Sequence, residues 1–237
     1  MMVRGAWLLA TLAATLCFRP GPSALASEQG RVLFQEDFEA GISDRWVERG
    51  FPSIERKNTF SLATDPVGNH YLKVESAQSA SGRGVHLRFS PRACSDVSWR
   101  WMVSHAIATA DITRREGDDG AAKLYVVFDG PSLWNPFDKR VIVYVWDNAA
   151  PVGRVFHNAW LPEKERMLVL ESGNEKAGRW VTERVHLAQD FGRAFPGERP
   201  GEVEALAFMA DTDNTATQVS AGLDDLVIRC RAPEQRH

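Results

Sequence analysis

The sequence predicts an all-β protein: a two-sheet antiparallel β-sandwich, a jelly roll within that class, carrying one short helix. Three observations lead there. About a dozen short runs rich in β-branched and aromatic residues are separated by Gly, Pro, Asn and Asp at regular intervals. Two of them, Lys123 to Asp129 and Val141 to Asn148, carry apolar residues on both faces, as central strands buried on both sides do. Strands do not alternate with long helical patterns, so a parallel α/β sheet is disfavoured. The strand count exceeds that of one immunoglobulin-like domain, and no repeat of propeller or solenoid length is visible.

In chain order, Val32 to Glu39 reads as the first strand and Gly41 to Asp44 as the turn leading to Trp46. Thr59 to Ala63 and Tyr71 to Glu75 are short strands punctuated by Asp65-Pro66 and Gly68-Asn69. Gly84 to Phe89 alternates, with Val85, Leu87 and Phe89 inward and His86 and Arg88 outward. Asp96 to Val103 places Trp99, Trp101 and Val103 on one side. After the central pair come Arg154 to Trp160, Glu165 to Leu170 and Arg179 to Leu187. Leu187, Phe191 and Phe195 then recur four apart, which predicts a short helix. Val203 to Ala210 and Leu223 to Arg229 close the chain.

The first residues form a leader pattern: Arg4, an apolar run from Ala6 to Cys17, then Ala24-Leu25-Ala26. This predicts a signal peptide over residues 1–26, cleaved after Ala26, and a single β-sandwich domain over 27–237 in the periplasm or outside the cell. The apolar run is too short to span a bilayer, and no later run is longer. Loss of Arg4 and Arg19 moves the formal charge from −3 to −5, with 26 basic residues against 31 acidic. Nucleic acid as a partner is disfavoured, since phosphate binding needs a clustered positive surface. Two cysteines remain, Cys94 and Cys230. In an exported chain they predict a disulfide joining the last strand to the middle of the sequence, with two separate buried thiols as the alternative. Their number and spacing give no zinc site.

Trp99-Arg100-Trp101, Gly117-Asp118-Asp119, Tyr125 to Phe128, Tyr144-Val145-Trp146, Gly178-Arg179-Trp180, Asp190-Phe191 before Ala194-Phe195, and Met209 to Thr215 form a set of motifs spread over most of the chain. Together they resemble a family of bacterial exported proteins known as domain of unknown function 3047. The chain departs from that pattern at Gly120, where an aromatic commonly follows the two aspartates, and at Leu223. More loosely, Phe34 to Glu39 with Trp46, and Leu223 to Ile228, are similar to the first and last strands of concanavalin A-like or galactose-binding-like jelly rolls, among them carbohydrate-binding modules and glucanases. That resemblance implies neighbouring terminal strands. Glu36 or Asp37 would then meet Asp224 or Asp225, either as ordinary solvated acids or around a structural Ca²⁺, which hard carboxylate oxygens suit.

Candidate site residues fall into two further groups. Asp118 and Asp119 precede one central strand, and Asp211, Asp213 and Asn214 end another; the two loops either make turns through their own backbone hydrogen bonds alone or share one rim that binds a ligand or metal. Trp101, Tyr125, Tyr144, Trp146 and Trp160, with His157 and Asn158 nearby, are candidates for an aromatic platform for sugar rings, and Trp134 for an exposed one. Catalysis has little behind it. No Glu-x-Asp-x-Glu strand of the retaining-glucanase kind occurs, Glu202 and Glu204 lack a third acid, and nucleophile-elbow and phosphate-loop motifs are missing. The expected function is non-catalytic binding of a glycan or other cell-envelope polymer, aided by calcium. The alternative is a hydrolase or lyase using Asp118, Asp119 or Asp211.

Overall fold

A computed structural model of the chain describes residues 30–132, 135 and 137–232. The leader over 1–26 and Trp134 lie outside the described residues. In chain order the strands are β1 (Arg31–Glu36), β2 (Trp46–Gly50), β3 (Thr59–Thr64), β4 (His70–Ala77), β5 (Ala80–Phe89), β6 (Asp96–Val103), β7 (Gly120–Asp129), β8 (Lys139–Asp147), β9 (Val155–His157), β10 (Glu165–Ser172), β11 (Val181–His186), β12 (Val203–Asp211) and β13 (Gln218–Cys230). Among the described residues the one α-helix, α1 (Leu187–Ala194), buries Leu187, Phe191 and Ala194 as their spacing requires.

The strands form two stacked sheets. One runs β11-β6-β13-β4-β3, with β1 also paired to β13; the other runs β2-β5-β12-β7-β8-β10-β9. β7 and β8 are interior strands of the second sheet, in keeping with their two-sided apolar character. Between the sheets, alternate residues interdigitate. Trp99 and Trp101 of β6 pack against Tyr144 and Trp146 of β8, with ring centroids 5.5 to 6.0 Å apart. The first and last strands are neighbours, Glu36 opposing Leu226. Cys94 and Cys230 are joined by a disulfide.

The structure departs from the sequence reading in several places: Trp46–Gly50, which the sequence marked only as following a turn, forms β2, and β5 and β13 begin at Ala80 and Gln218 rather than at Gly84 and Leu223. β1 stops at Glu36, because Phe38 turns to φ 56° and inserts against Trp46. β9 covers only Val155–His157, because the Asn158 side chain then accepts hydrogen bonds from the N–H groups of Trp160 and Leu161 and turns the chain. β10 runs parallel to β8, so the second sheet is mixed: β9 forms the outer edge and β10 returns between it and β8. Among the described residues, no helix is long and apolar enough to cross a membrane.

The outer face of the second sheet is partly roofed. Ile112, in the segment between β6 and β7, packs on Val143, Val145, Met167 and Val169. Asn148 donates from Nδ2 to the carbonyls of Ala108 and Ala110 and anchors this segment. On this outer face Lys123 is buried and Tyr125 is half-buried against the Ile112 cluster, the two alternating with the inward-facing Leu124 and Val126 of β7.

Candidate functional site

Register brings the two aspartate-rich loops together. β7 and β12 are antiparallel with Asp211 opposite Gly120, so residues just before β7 meet residues just after β12 at one end of the sheet. Asp119 accepts hydrogen bonds from the backbone N–H groups of Asn214 (3.1 Å) and Thr215 (2.7 Å) and from Thr215 Oγ1 (2.5 Å). The Asp118 and Asp211 carboxylates are bridged by Lys123, whose Nζ lies 3.0 Å from Asp211 Oδ2 and 3.4 Å from Asp118 Oδ1 and donates to the Asp118 carbonyl at 3.0 Å. Gly120 makes room for this. A Cβ there would stand 2.7 Å from Lys123 Cε, which explains the departure from an aromatic at that position.

Lys123 is 1 % exposed, Asp119 0 %, Asp118 6 % and Asp211 8 %; Asp213 and Asn214 are half-buried at the mouth. Burial alone would depress the Lys123 ammonium, but Asp211 and Asp118 outweigh it and hold its pKa well above the ordinary value. Burial pushes Asp211 up to about 8, with Lys123 opposing and Asp213 adding to the rise. Glu165, at the start of β10, is raised to about 7 by burial, opposed by Lys123. Asp118 Oδ2 also accepts from Asn158 Nδ2 (3.2 Å), which ties the buried cluster to the Trp160 turn.

Trp160 is half-exposed. One ring face carries the Arg115 guanidinium at 5.0 Å, and Arg115 Nε donates to the Ala159 carbonyl at 2.9 Å. His157, exposed nearby, bonds through Nδ1 to the Pro162 carbonyl. The other expected platform residues lie elsewhere. Trp101, Tyr144 and Trp146 are at most 1 % exposed and fill the space between the sheets, their polar atoms donating to Glu183, Asp190 and the Gly173 carbonyl. Their alternation put them on the inner faces, so they offer no ring to a surface ligand. Tyr125 faces outward and is half-buried against the Ile112 cluster, where burial pushes its hydroxyl pKa well above the ordinary value.

At the seam of first and last strands, the four acids expected to hold calcium do not converge. Asp224 is buried and accepts from Arg100 Nη2 (2.5 Å) and Asn69 Nδ2 (2.8 Å), while Asp225 pairs with Arg100 Nε (2.9 Å). Glu36 accepts from Trp46 Nε1 (2.9 Å) and the Phe38 N–H; Asp37 accepts from the Glu39 N–H. Arg100 supplies the countercharge expected of calcium.

The sequence reading missed a cleft of about 880 Å³ beside α1, lined by Arg184, His186, Asp190, Arg193 and Arg229 among others. Its residues come from β6, β10, β11 and β13, so sequence spacing gives no hint of their meeting. Asp190 within it is held by the Tyr144 hydroxyl (3.0 Å) and Arg193 (3.2 Å).

Comparison with solved structures finds similarity to proteins of low sequence identity. "Cellulose induced protein, Cip1" is 14 % identical, over 82 % of this chain and 96 % of that one, at a TM-score of 0.46. The family 30 carbohydrate-binding module of a cellulosomal cellulase from Clostridium thermocellum is 10 % identical, over 81 % and 93 %, at 0.39. The xyloglucanase domain of NopAA from Sinorhizobium fredii is 9 % identical, over 79 % and 100 %, at 0.42. A search of curated proteins finds no match. The family model described as "Protein of unknown function (DUF3047)" matches residues 44–227, and the chain belongs to that family.

Proposed function

We propose that the protein is an exported, non-catalytic β-sandwich that binds a glycan or another cell-envelope polymer at the Trp160 rim. The observation that carries this reading is Trp160: a large ring left half in water yet held in place by Arg115 on one side and by the Asn158 turn below. An exposed, immobilised indole with polar neighbours His157 and Arg115 suits a sugar, whose C–H face stacks while its hydroxyls need donors and acceptors. The cleft beside α1 is polar and arginine-lined, with no Phe, Tyr or Trp among its lining residues. The Cys94–Cys230 disulfide supports an oxidising compartment, periplasmic or extracellular.

One observation favours hydrolysis: Glu165, raised to about 7, has the pKa of a general acid. Against it, Glu165 and Asp118 are each more than nine-tenths buried under the roof, whereas a glycosidase needs both carboxyls on a common open cleft. Binding to envelope polysaccharides, measured by glycan array or pull-down, tests the proposal. Trp160→Ala should weaken binding roughly tenfold or more with melting unchanged, as befits loss of an exposed stacking ring. Arg229→Ala, in the cleft, should leave binding intact. Absence of binding to any envelope polymer, or release of reducing sugar from one, would overturn it.

A further inference from the structure

We infer that Asp119, Asp211 and Asp213 together bind one calcium ion at the shared end of β7 and β12. Among the described residues, these are the acids whose oxygens converge: one from each lies within 4.8 Å of the others. That span is the geometric limit for one ion, since two oxygens on opposite sides of a calcium stand about twice the ~2.4 Å Ca–O distance apart. A second, independent observation points to a ligand. Asp211 is more than nine-tenths buried, and while its Oδ2 meets Lys123, its Oδ1 has no hydrogen-bond donor among the described residues. A buried carboxylate oxygen without a partner is costly, and such orphans in folded proteins mark an ion or water that completes them.

Charge balance leads to the same place. Among the described residues Lys123 is the one ammonium bonded within the cluster, held between Asp118 and Asp211, and Asp119 and Asp213 add two further carboxylates beside Asp211. Three backbone and hydroxyl donors already satisfy Asp119, but they neutralise nothing. Either protons or a cation must offset the excess, and all three candidate ligands are hard oxygens, which select calcium or magnesium over softer metals. Calcium is the better fit. The ligands come from two loops and include the half-buried Asp213 at the mouth, an irregular set that suits calcium's flexible shell of six to eight oxygens, whereas magnesium demands a near-ideal octahedron. The ion would tie the start of β7 to the turn after β12. The inference does not depend on what the Trp160 rim binds.

Isothermal titration of the EDTA-stripped protein with CaCl₂, alongside thermal melting, tests it. One calcium per chain should bind, with the melting temperature raised by several degrees. Asp213→Asn, at a half-exposed position that folding tolerates, should weaken binding at least tenfold. Asp37→Asn, at the first-strand seam, should bind as the wild type does. Four results would each overturn the assignment: no calcium heat and no melting shift at millimolar CaCl₂; preference for MgCl₂ over CaCl₂; Asp213→Asn binding unchanged; or loss of binding in Asp37→Asn.

Discussion

Two acidic patches of this molecule look alike in sequence and resolve their charge in different ways. At the seam of β1 and β13, Asp224 and Asp225 face one arginine whose planar fork reaches both, and Asn69 completes the buried member. At the end of β7 and β12, Asp118 and Asp211 share one lysine, a point charge with three donors, all of them already used, while Asp119 and Asp213 converge on Asp211. The first patch is closed by protein groups alone. The second is left with an orphaned oxygen and an excess of negative charge. An Asp-Asp pair in a sequence is therefore only half of the information; the cation across the sheet decides whether it is structural or open to a ligand.

Removing each countercharge sharpens that contrast. Lys123→Met should have the largest effect, lowering stability in urea by about 3–5 kcal/mol because it leaves buried carboxylates unpaired; calcium should recover part of the loss. Replacing Cys94 and Cys230 by serine should cost about 2–4 kcal/mol, the usual worth of closing a long loop. It frees the end of β13 but leaves the β7–β12 end in place. Arg100→Met should cost about 2–3 kcal/mol, less than Lys123→Met because Arg100 is partly open to water. Calcium sensitivity of melting should then stay as in the wild type.

The smallest effect concerns pH. Burial and the nearby Glu171 carboxylate push Glu183 up to about 7 from an ordinary 4.5. The folded state therefore holds this proton more tightly than the unfolded chain, so its contribution is full below about pH 4.5 and is lost as pH rises through about 7. Glu183→Gln should flatten the fall in melting temperature across that window. An unchanged slope would mean that other groups set it.

Much of the architecture was legible because it rests on periodicity. The alternation of β5 and β6, the two-sided apolar runs of β7 and β8, and the four-residue spacing in α1 each dictate one arrangement. The meeting of Asp118 and Asp119 with Asp211 followed from their places at strand ends. What escaped the sequence depends on which outer face a loop covers and on long side chains crossing between strands. Lys123 and Arg100 both sit inside apolar strands with aspartates nearby, a signal that was present but reads equally as a solvent-facing position. Trp101, Tyr144 and Trp146 share a face by alternation, yet alternation does not say whether that face meets water or another sheet. The parallel β8–β10 pairing was hidden because β9 intervenes in sequence and not in space.

Crystals grown with calcium, or with manganese as an anomalous substitute, test the contrast most directly. The account predicts a peak within about 2.6 Å of the Asp119, Asp211 and Asp213 carboxylates, with Arg100 still in place beside Asp224. A peak beside Asp224 with none between the three rim aspartates would contradict it.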